Sequence, residues 1–298
     1  MYTLLRFKNL LFLSALCLVV LLLAAGLGVE GGALLTAAVK TDHAPEENEI
    51  QVPIIMYHSL LKSRSEKFVL SPGQFELDLQ YIRARGFHTV TINNLIEYVH
   101  HDIPLPEKPL VITLDDGFLN NITYALPLLE KYRMCAVLSV VGSYTDKSTA
   151  SDDHNPAYAY VTWEDVRALI HGGVLEIQNH SYALHRNANG RCGAKPKRGE
   201  READYRKTLR TDINAFEEAM EANTGYRATA FIYPFGQFSA LSEKVLQEEG
   251  FLASLSCRER IPKISKDPES LYQMGRFNRP SGITTEEFFE KVLKKYEG

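Results

Sequence analysis

Val111-Ile112-Thr113-Leu114-Asp115-Asp116-Gly117-Phe118 is the stretch on which the fold turns. The short apolar run 110–114 reads as a buried strand, and it ends in two adjacent carboxylates and a glycine. In a parallel α/β sheet or barrel, active sites collect at strand ends. Adjacent residues at a strand end point in different directions, so one carboxylate can bind a metal while its neighbour handles a proton. Asp-Asp-Gly is also ordinary turn chemistry, and the flanking sequence has to decide between the two readings.

Working outward, strand and helix alternate on both sides of this run. Residues 52–57 read as a strand ending at His58. Ser71-Pro72-Gly73-Gln74 opens a helix whose Phe75, Leu79 and Ile82 share one face. A strand over 89–92 follows, and Asn93-Asn94 caps the next helix to about His100. After the Asp-Asp strand come a helix over 124–132, a strand over 136–141 and a helix capped by Thr162 and ending at Gly172-Gly173. A short strand, 174–177, leads into Asn179-His180. The polar stretch 187–200 reads as an exposed loop, together with Glu200, Glu202 and the basic cluster 195–201. A long helix over 202–223, a strand over 228–233, a helix over 239–249, short strands over 252–256 and 274–277, and a last helix from Thr284 complete the chain. This alternation predicts a parallel α/β architecture and one catalytic domain, 51–298.

The chain has 298 residues, 45% hydrophobic and 23% charged, with a formal net charge of -4. That is ordinary globular composition, and the lack of a basic excess argues against nucleic-acid binding. The first segment stands apart. Arg6 and Lys8 precede an uncharged apolar run, 10–27, close to the ~18 residues that signal a membrane span. Basic residues before it and acidic ones after it orient the N-terminus inside. Residues 1–27 fit a signal anchor or a cleaved signal peptide, the anchor being favoured, with 28–50 as linker. Either reading exports the rest: a single-pass protein of the cell membrane with its catalytic domain outside the cytoplasm, or a secreted one. Cys17 lies in the apolar run, Cys135 reads as a core residue, and Cys192 and Cys257 are free to pair or not.

Three segments that could carry chemistry each follow a predicted strand: Thr113-Leu114-Asp115-Asp116-Gly117, Asn179-His180-Ser181-Tyr182-Ala183-Leu184-His185, and Phe231-Ile232-Tyr233-Pro234-Phe235-Gly236. Imidazole and carboxylate ligands suit zinc and similar ions, and a catalytic zinc keeps three protein ligands and one open position. His180 and His185 would miss a common face on a regular helix but can converge on an irregular turn. They could equally be two of nine surface histidines.

These motifs resemble the polysaccharide deacetylases of the NodB-homology type, carbohydrate esterase family four. Thr113-Leu114-Asp115-Asp116-Gly117 is similar to the family's T-F-D-D-G. His180 and His185 resemble its two-histidine motif with a gap one residue longer than the commonest form. The Tyr233-Pro234-Phe235-Gly236 segment and the opening Val52-Pro53-Ile54-Ile55-Met56-Tyr57-His58 look like the poly-N-acetylglucosamine deacetylase branch. The resemblance implies a distorted (β/α) barrel of about seven parallel strands, and a metal-dependent hydrolase removing N-acetyl groups from an N-acetylated polysaccharide. It implies Asp116, His180 and His185 as ligands of a divalent metal, zinc being the expected ion. It further implies Asp115 as general base and the Phe235 N–H as an oxyanion donor. A monomer is expected.

Two departures stand out. No histidine follows His185, so either His58 acts as the general acid, or Asp115 carries the proton across, or turnover is slow. Ile232 stands where the common form has an arginine, and Arg276 on a late strand is the candidate to pair with Asp115. Tyr57, Trp163, Tyr182 and Tyr233 could stack on sugar or simply pack; the motif positions of Tyr182 and Tyr233 place those two near the site. A C–N hydrolase acting on a small amide or imide, and a non-catalytic sugar-binding relic, are the alternatives.

Overall fold

A computed structural model describes residues 49–62 and 66–296. The expected anchor, 1–27, and nearly all of the linker, 28–50, lie outside the described residues. Among the described residues, no helix is long and apolar enough to cross a membrane.

The principal elements run in order β1 (Ile54–Tyr57), α1 (Pro72–Ala84), α2 (Ile92–His101), β2 (Pro109–Leu114), α3 (Leu126–Tyr132), β3 (Ala136–Val140), α4 (Gly142–Ser151) and α5 (Trp163–Gly172). They continue with β4 (Leu175–Asn179), α6 (Glu202–Thr224), β5 (Ala230–Ile232), α7 (Ala240–Glu248), β6 (Ala253–Leu255), β7 (Phe277–Asn278) and α8 (Thr285–Tyr296). The seven strands are hydrogen-bonded in parallel in the order β6-β5-β4-β3-β2-β1-β7. A parallel bridge from Leu255 to Met274 ties the approach to β7 back against β6, so the sheet curls toward closure. The result is a distorted (β/α) barrel. Every residue of β2 is buried, as a barrel strand with helices on its outer face and the packed interior on its inner face requires.

Local chemistry sets the boundaries. Ser71 caps α1 by accepting from the Gln74 N–H, with Pro72 in the first turn. Thr162 closes a reciprocal capping box with Asp165 at the start of α5. The cap of α2 is Thr91, in a box with Asn94, rather than the Asn93-Asn94 pair. The strand expected over 89–92 accordingly shrinks to His88–Thr89, because Ile92 already belongs to the helix. Helix α4 is an element the sequence pattern does not announce. Gly-Ser-Tyr-Thr-Asp-Lys-Ser-Thr-Ala-Ser has no apolar stripe and no side-chain N-cap, and it is held by its neighbours.

The stretch 187–200 is not simply a solvated loop. It contains the hairpin Asn187–Ala188 with Arg191–Cys192, and Arg191 is 5% exposed and ion-paired with Glu200. A Cβ on Gly193 would sit 2.5 Å from the Pro234 carbonyl oxygen, so this hairpin packs against the turn after β5. Cys135, Cys192 and Cys257 are free thiols.

Candidate active site

The C-terminal ends of β2, β4 and β5 converge on one cavity of about 760 Å³. Each of the three turns places a non-glycine residue in the left-handed region: Asp116 (φ 74), Ser181 (φ 72) and Phe235 (φ 57). Such strain is tolerated where the surrounding structure holds a side chain in a special direction. After Asp116, Gly117 continues at φ 75, where a side chain would be strained, and its Cβ position lies a tight 3.1 Å from Val140 Cγ1.

Asp115 and Asp116 diverge as adjacent residues should. Asp116 Oδ1 lies 3.0 Å from His185 Nε2 and 3.4 Å from His180 Nε2. One ligand atom from each of these residues lies within 4.8 Å of the other two. His180 Nδ1 donates to the Ile232 carbonyl at 2.7 Å, so its Nε2 presents a lone pair to the cluster. Asp116 Oδ1 is buried and receives no well-aligned hydrogen bond despite the two nearby imidazoles. An anionic oxygen and an imidazole lone pair facing each other repel unless a cation lies between them. This donor set therefore fits a divalent ion of the zinc type. Burial pushes the Asp116 carboxyl up, but in the metal-free cluster His180, His185 and His58 together hold it well below the usual carboxylate range. Burial lowers the His185 imidazole while Asp116 and Asp115 raise it, with a net shift upward.

The loop between the two histidines is bound to helix α6. Asp212, buried on that helix, accepts from the Tyr182 N–H at 2.9 Å and the Ala183 N–H at 2.7 Å. Asn179 accepts from the Ser181 N–H at 2.7 Å and donates to Glu217 at 2.9 Å. The Tyr144 hydroxyl donates to the His185 carbonyl at 3.1 Å. Asp212, Glu217 and Tyr144 were not legible as site residues, because nothing in the sequence shows α6 and α4 lying against the His180–His185 turn.

Asp115 takes a different environment. Its Oδ1 accepts from Arg276 Nη1 at 2.7 Å and from the Ser139 hydroxyl at 3.0 Å. No described residue donates to its Oδ2, and Asp115 lines the cavity. Arg276 is completely buried, donating also to the Ser256 carbonyl at 3.0 Å and to Thr113 Oγ1 at 3.1 Å. Burial raises the Asp115 carboxyl, but Arg276, then His180 and His58, outweigh it and hold the pKa below its ordinary value. The sequence could only nominate Arg276; the ion pair is made by β7 lying beside β1.

His58 lines the same cavity, its ring 4.8 Å from that of Phe68. Burial lowers its pKa against the opposing pull of Asp115 and Asp116. Phe235 also lines the cavity, with its ring 4.6 Å from His185. The two tyrosines placed near the site by their motif positions turn away from it. Tyr233 is fully buried among Phe231 and Phe238. Residues two apart along a strand share a face, and Phe231 points outward to the helical layer. Tyr182 packs against Gly142, where a Cβ would come within 2.6 Å of its ring, and its hydroxyl donates to Asp146 at 2.6 Å. Neither lines the cavity.

Fold and site together define a (β/α)-barrel protein with an Asp-His-His cluster and a buried Arg-Asp pair at its strand ends. The profile of the polysaccharide deacetylase family matches residues 102–253, just over half of the chain, and the chain belongs to that family. It is 25% identical over 239 residues to the poly-beta-1,6-N-acetyl-D-glucosamine N-deacetylase of Escherichia coli O157:H7, covering 70% of this chain and 36% of that one. The chain thus spans about a third of that relative's length. It is 24% identical over 243 residues to the putative polysaccharide deacetylase YxkH of Bacillus subtilis, covering 81% and 76% of the two chains. Among solved structures, the de-N-acetylase of Aggregatibacter actinomycetemcomitans superposes with a TM-score of 0.68 at 24% identity, covering 83% of this chain and all of the other.

Proposed function

We propose that this protein is a metal-dependent N-deacetylase of an N-acetylglucosamine-containing polysaccharide. One observation carries the reading. A carboxylate with one oxygen pinned and the other open stands next to a carboxylate and two imidazoles whose donor atoms converge.

Asp116, His180 and His185 would hold the ion, expected to be zinc. When bound, it supplies Lewis-acid polarisation of the amide carbonyl and acidifies the attacking water. Asp115 takes the water's proton on Oδ2, because Oδ1 is already engaged by Arg276 and Ser139. Arg276 keeps that base anionic and oriented. The Phe235 N–H donates to the oxyanion as charge develops there, a kind of preorganised contact worth ~3 kcal/mol. The proton then passes to the leaving nitrogen, directly from Asp115 or through His58. Burial lowers the His58 pKa, and acting as acid its imidazole would relay the proton that Asp115 takes from the water.

The apolar run 10–27, with basic residues before it and acidic ones after it, supports a membrane-anchored enzyme whose catalytic domain lies outside the cytoplasm. The activity of the E. coli relative supports poly-N-acetylglucosamine over other glycans.

The test is acetate release from poly-N-acetylglucosamine by the full-length chain, with and without a chelator and after zinc is restored. Release abolished by chelation and regained with zinc is expected. Release indifferent to chelator refutes the metal mechanism. Glycan binding without release by metal-loaded protein supports the relic reading instead.

A further inference from the structure

Away from the Asp-His-His cluster, the cavity wall is aromatic and nearly uncharged. Phe68, Phe118, Tyr158, Tyr160 and Phe235 line it, and three of them are strongly exposed: Phe68 at 47%, Tyr158 at 60% and Phe235 at 44%. Large aromatic rings are left in water at a cost unless something covers them, and an exposed apolar patch beside a polar site marks a ligand groove.

The two most exposed rings sit on separate loops that share one buried clamp. Asn120 is completely buried. Its Oδ1 accepts from the Leu60 N–H at 2.9 Å; its Nδ2 donates to Ser59 Oγ at 2.9 Å and to the Pro156 carbonyl at 3.1 Å. Leu60 belongs to the small parallel pair Ser59–Leu60 with Val69–Leu70, which carries Phe68. Pro156 begins the turn carrying Tyr158, whose N–H donates to the Asn155 carbonyl. A single buried amide thus ties Ser59 and Leu60 to Pro156, at the roots of the segments that carry Phe68 and Tyr158. Behind it Phe118 and Tyr160 stack at 5.0 Å.

Charge narrows the ligand. Lys67 is the only lysine or arginine among the described residues lining the cavity, and the lining Glu259 is paired with Lys291 at 2.7 Å. An anionic glycan bearing carboxylates or phosphates would need several cations there, with Arg as the usual partner. A neutral pyranose offers flat C–H faces that suit aromatic rings.

We infer that Phe68 and Tyr158 form a stacking platform for sugars flanking the one that reacts, and that this platform favours uncharged sugars over anionic ones. This rests on the deacetylase reading and deepens it. If the platform binds flanking sugars, chain length should count.

The experiment compares acetate release from N-acetylglucosamine oligomers, monomer to hexamer, by the full-length zinc-loaded protein and its Phe68→Ala, Tyr158→Ala and Tyr158→Phe variants. Wild-type kcat/KM should rise with length. Each alanine variant should lose about 5-fold more on the hexamer than on the monomer, mainly through KM, on the scale of an aromatic contact. Tyr158→Phe should retain the length dependence, since the ring and not the hydroxyl stacks. Length-independent kcat/KM in the wild type, or equal losses on short and long substrates, overturns the inference. Calorimetric binding of the hexamer and of a hyaluronan oligosaccharide is measured alongside, so the platform is judged even if acetate release fails. Hexamer binding weakened by Phe68→Ala supports it; equal affinity for the anionic glycan overturns it.

Discussion

Two arginines three residues apart, Arg276 and Arg279, each enter the protein interior and each meet a buried aspartate, yet the two pairs serve opposite ends. Asp78 has both oxygens occupied. Oδ1 accepts from Thr285 at 2.6 Å and Arg279 Nη2 at 3.2 Å; Oδ2 accepts from Arg279 Nε at 2.8 Å and the Tyr57 hydroxyl at 3.1 Å. That carboxylate joins β1, α1 and the start of α8 and has nothing left to offer. Asp115 has two donors on one oxygen and none from the described residues on the other. A satisfied buried pair is a joint, whereas a half-satisfied one facing a cavity can act on a ligand.

The comparison is broken most sharply by exchanging the effects. Asp115→Asn keeps an acceptor for Arg276 but removes the base, and kcat for acetate release should fall by about 10²–10⁴-fold while the protein still folds. Asp78→Ala leaves Arg279 buried without its partner and should cost about 3–5 kcal/mol of stability in denaturant titration. If the Asp78 variant, assayed where it is folded, lost as much kcat as Asp115→Asn, the division between joint and tool would be wrong.

A middle-sized effect concerns the metal. Asp212→Asn removes a carboxylate that accepts two N–H groups of the His180–His185 turn. Zinc affinity measured by competition with a chromophoric chelator should drop about 10–100-fold, as for other groups that orient metal ligands. Unchanged affinity would show that the turn holds its shape without α6.

The smallest effect is one of sign, read in the presence of chelator. Arg276, with His180 and His58, holds Asp115 below its ordinary 3.8 against burial, so its contribution to stability is present above the unfolded value and lost as pH falls through the folded one. Burial holds Asp78 above 3.8 against the pull of Arg279, so ionisation there costs stability, and that cost disappears as pH falls toward the unfolded value. On acidification, wild-type stability relative to Asp115→Asn should decline, and relative to Asp78→Asn should rise. Slopes of the same sign would erase the distinction.

Much of the barrel was legible because its signals are local. The apolar 110–114 run, the Ser71 and Thr162 caps and the glycines closing helices belong to neighbouring residues, and each marks an element within a few positions. Helix α4 escaped because its helical state depends on packing rather than on its own residues. The hairpin after 187 escaped for a related reason: a polar, glycine-rich segment looks solvated until Arg191 finds Glu200 and Gly193 meets the Pro234 carbonyl. Tyr182 and Tyr233 were nominated by their place in motifs, but a motif does not say on which side of a strand or turn a ring will fall.

By itself the sequence determined which chemistry was on hand: a carboxylate pair at a strand end, two histidines five apart, an arginine late in the chain and an apolar run near the N-terminus. Only the tertiary structure decided which of these groups share a space. Strand order brings β7 beside β1 and so delivers Arg276 to Asp115, and α6 holds the four-residue gap bent so that both imidazoles face Asp116. Hydrogen bonds and ion pairs act over a few ångströms, and residues 160 positions apart come within that reach only when a sheet closes around them.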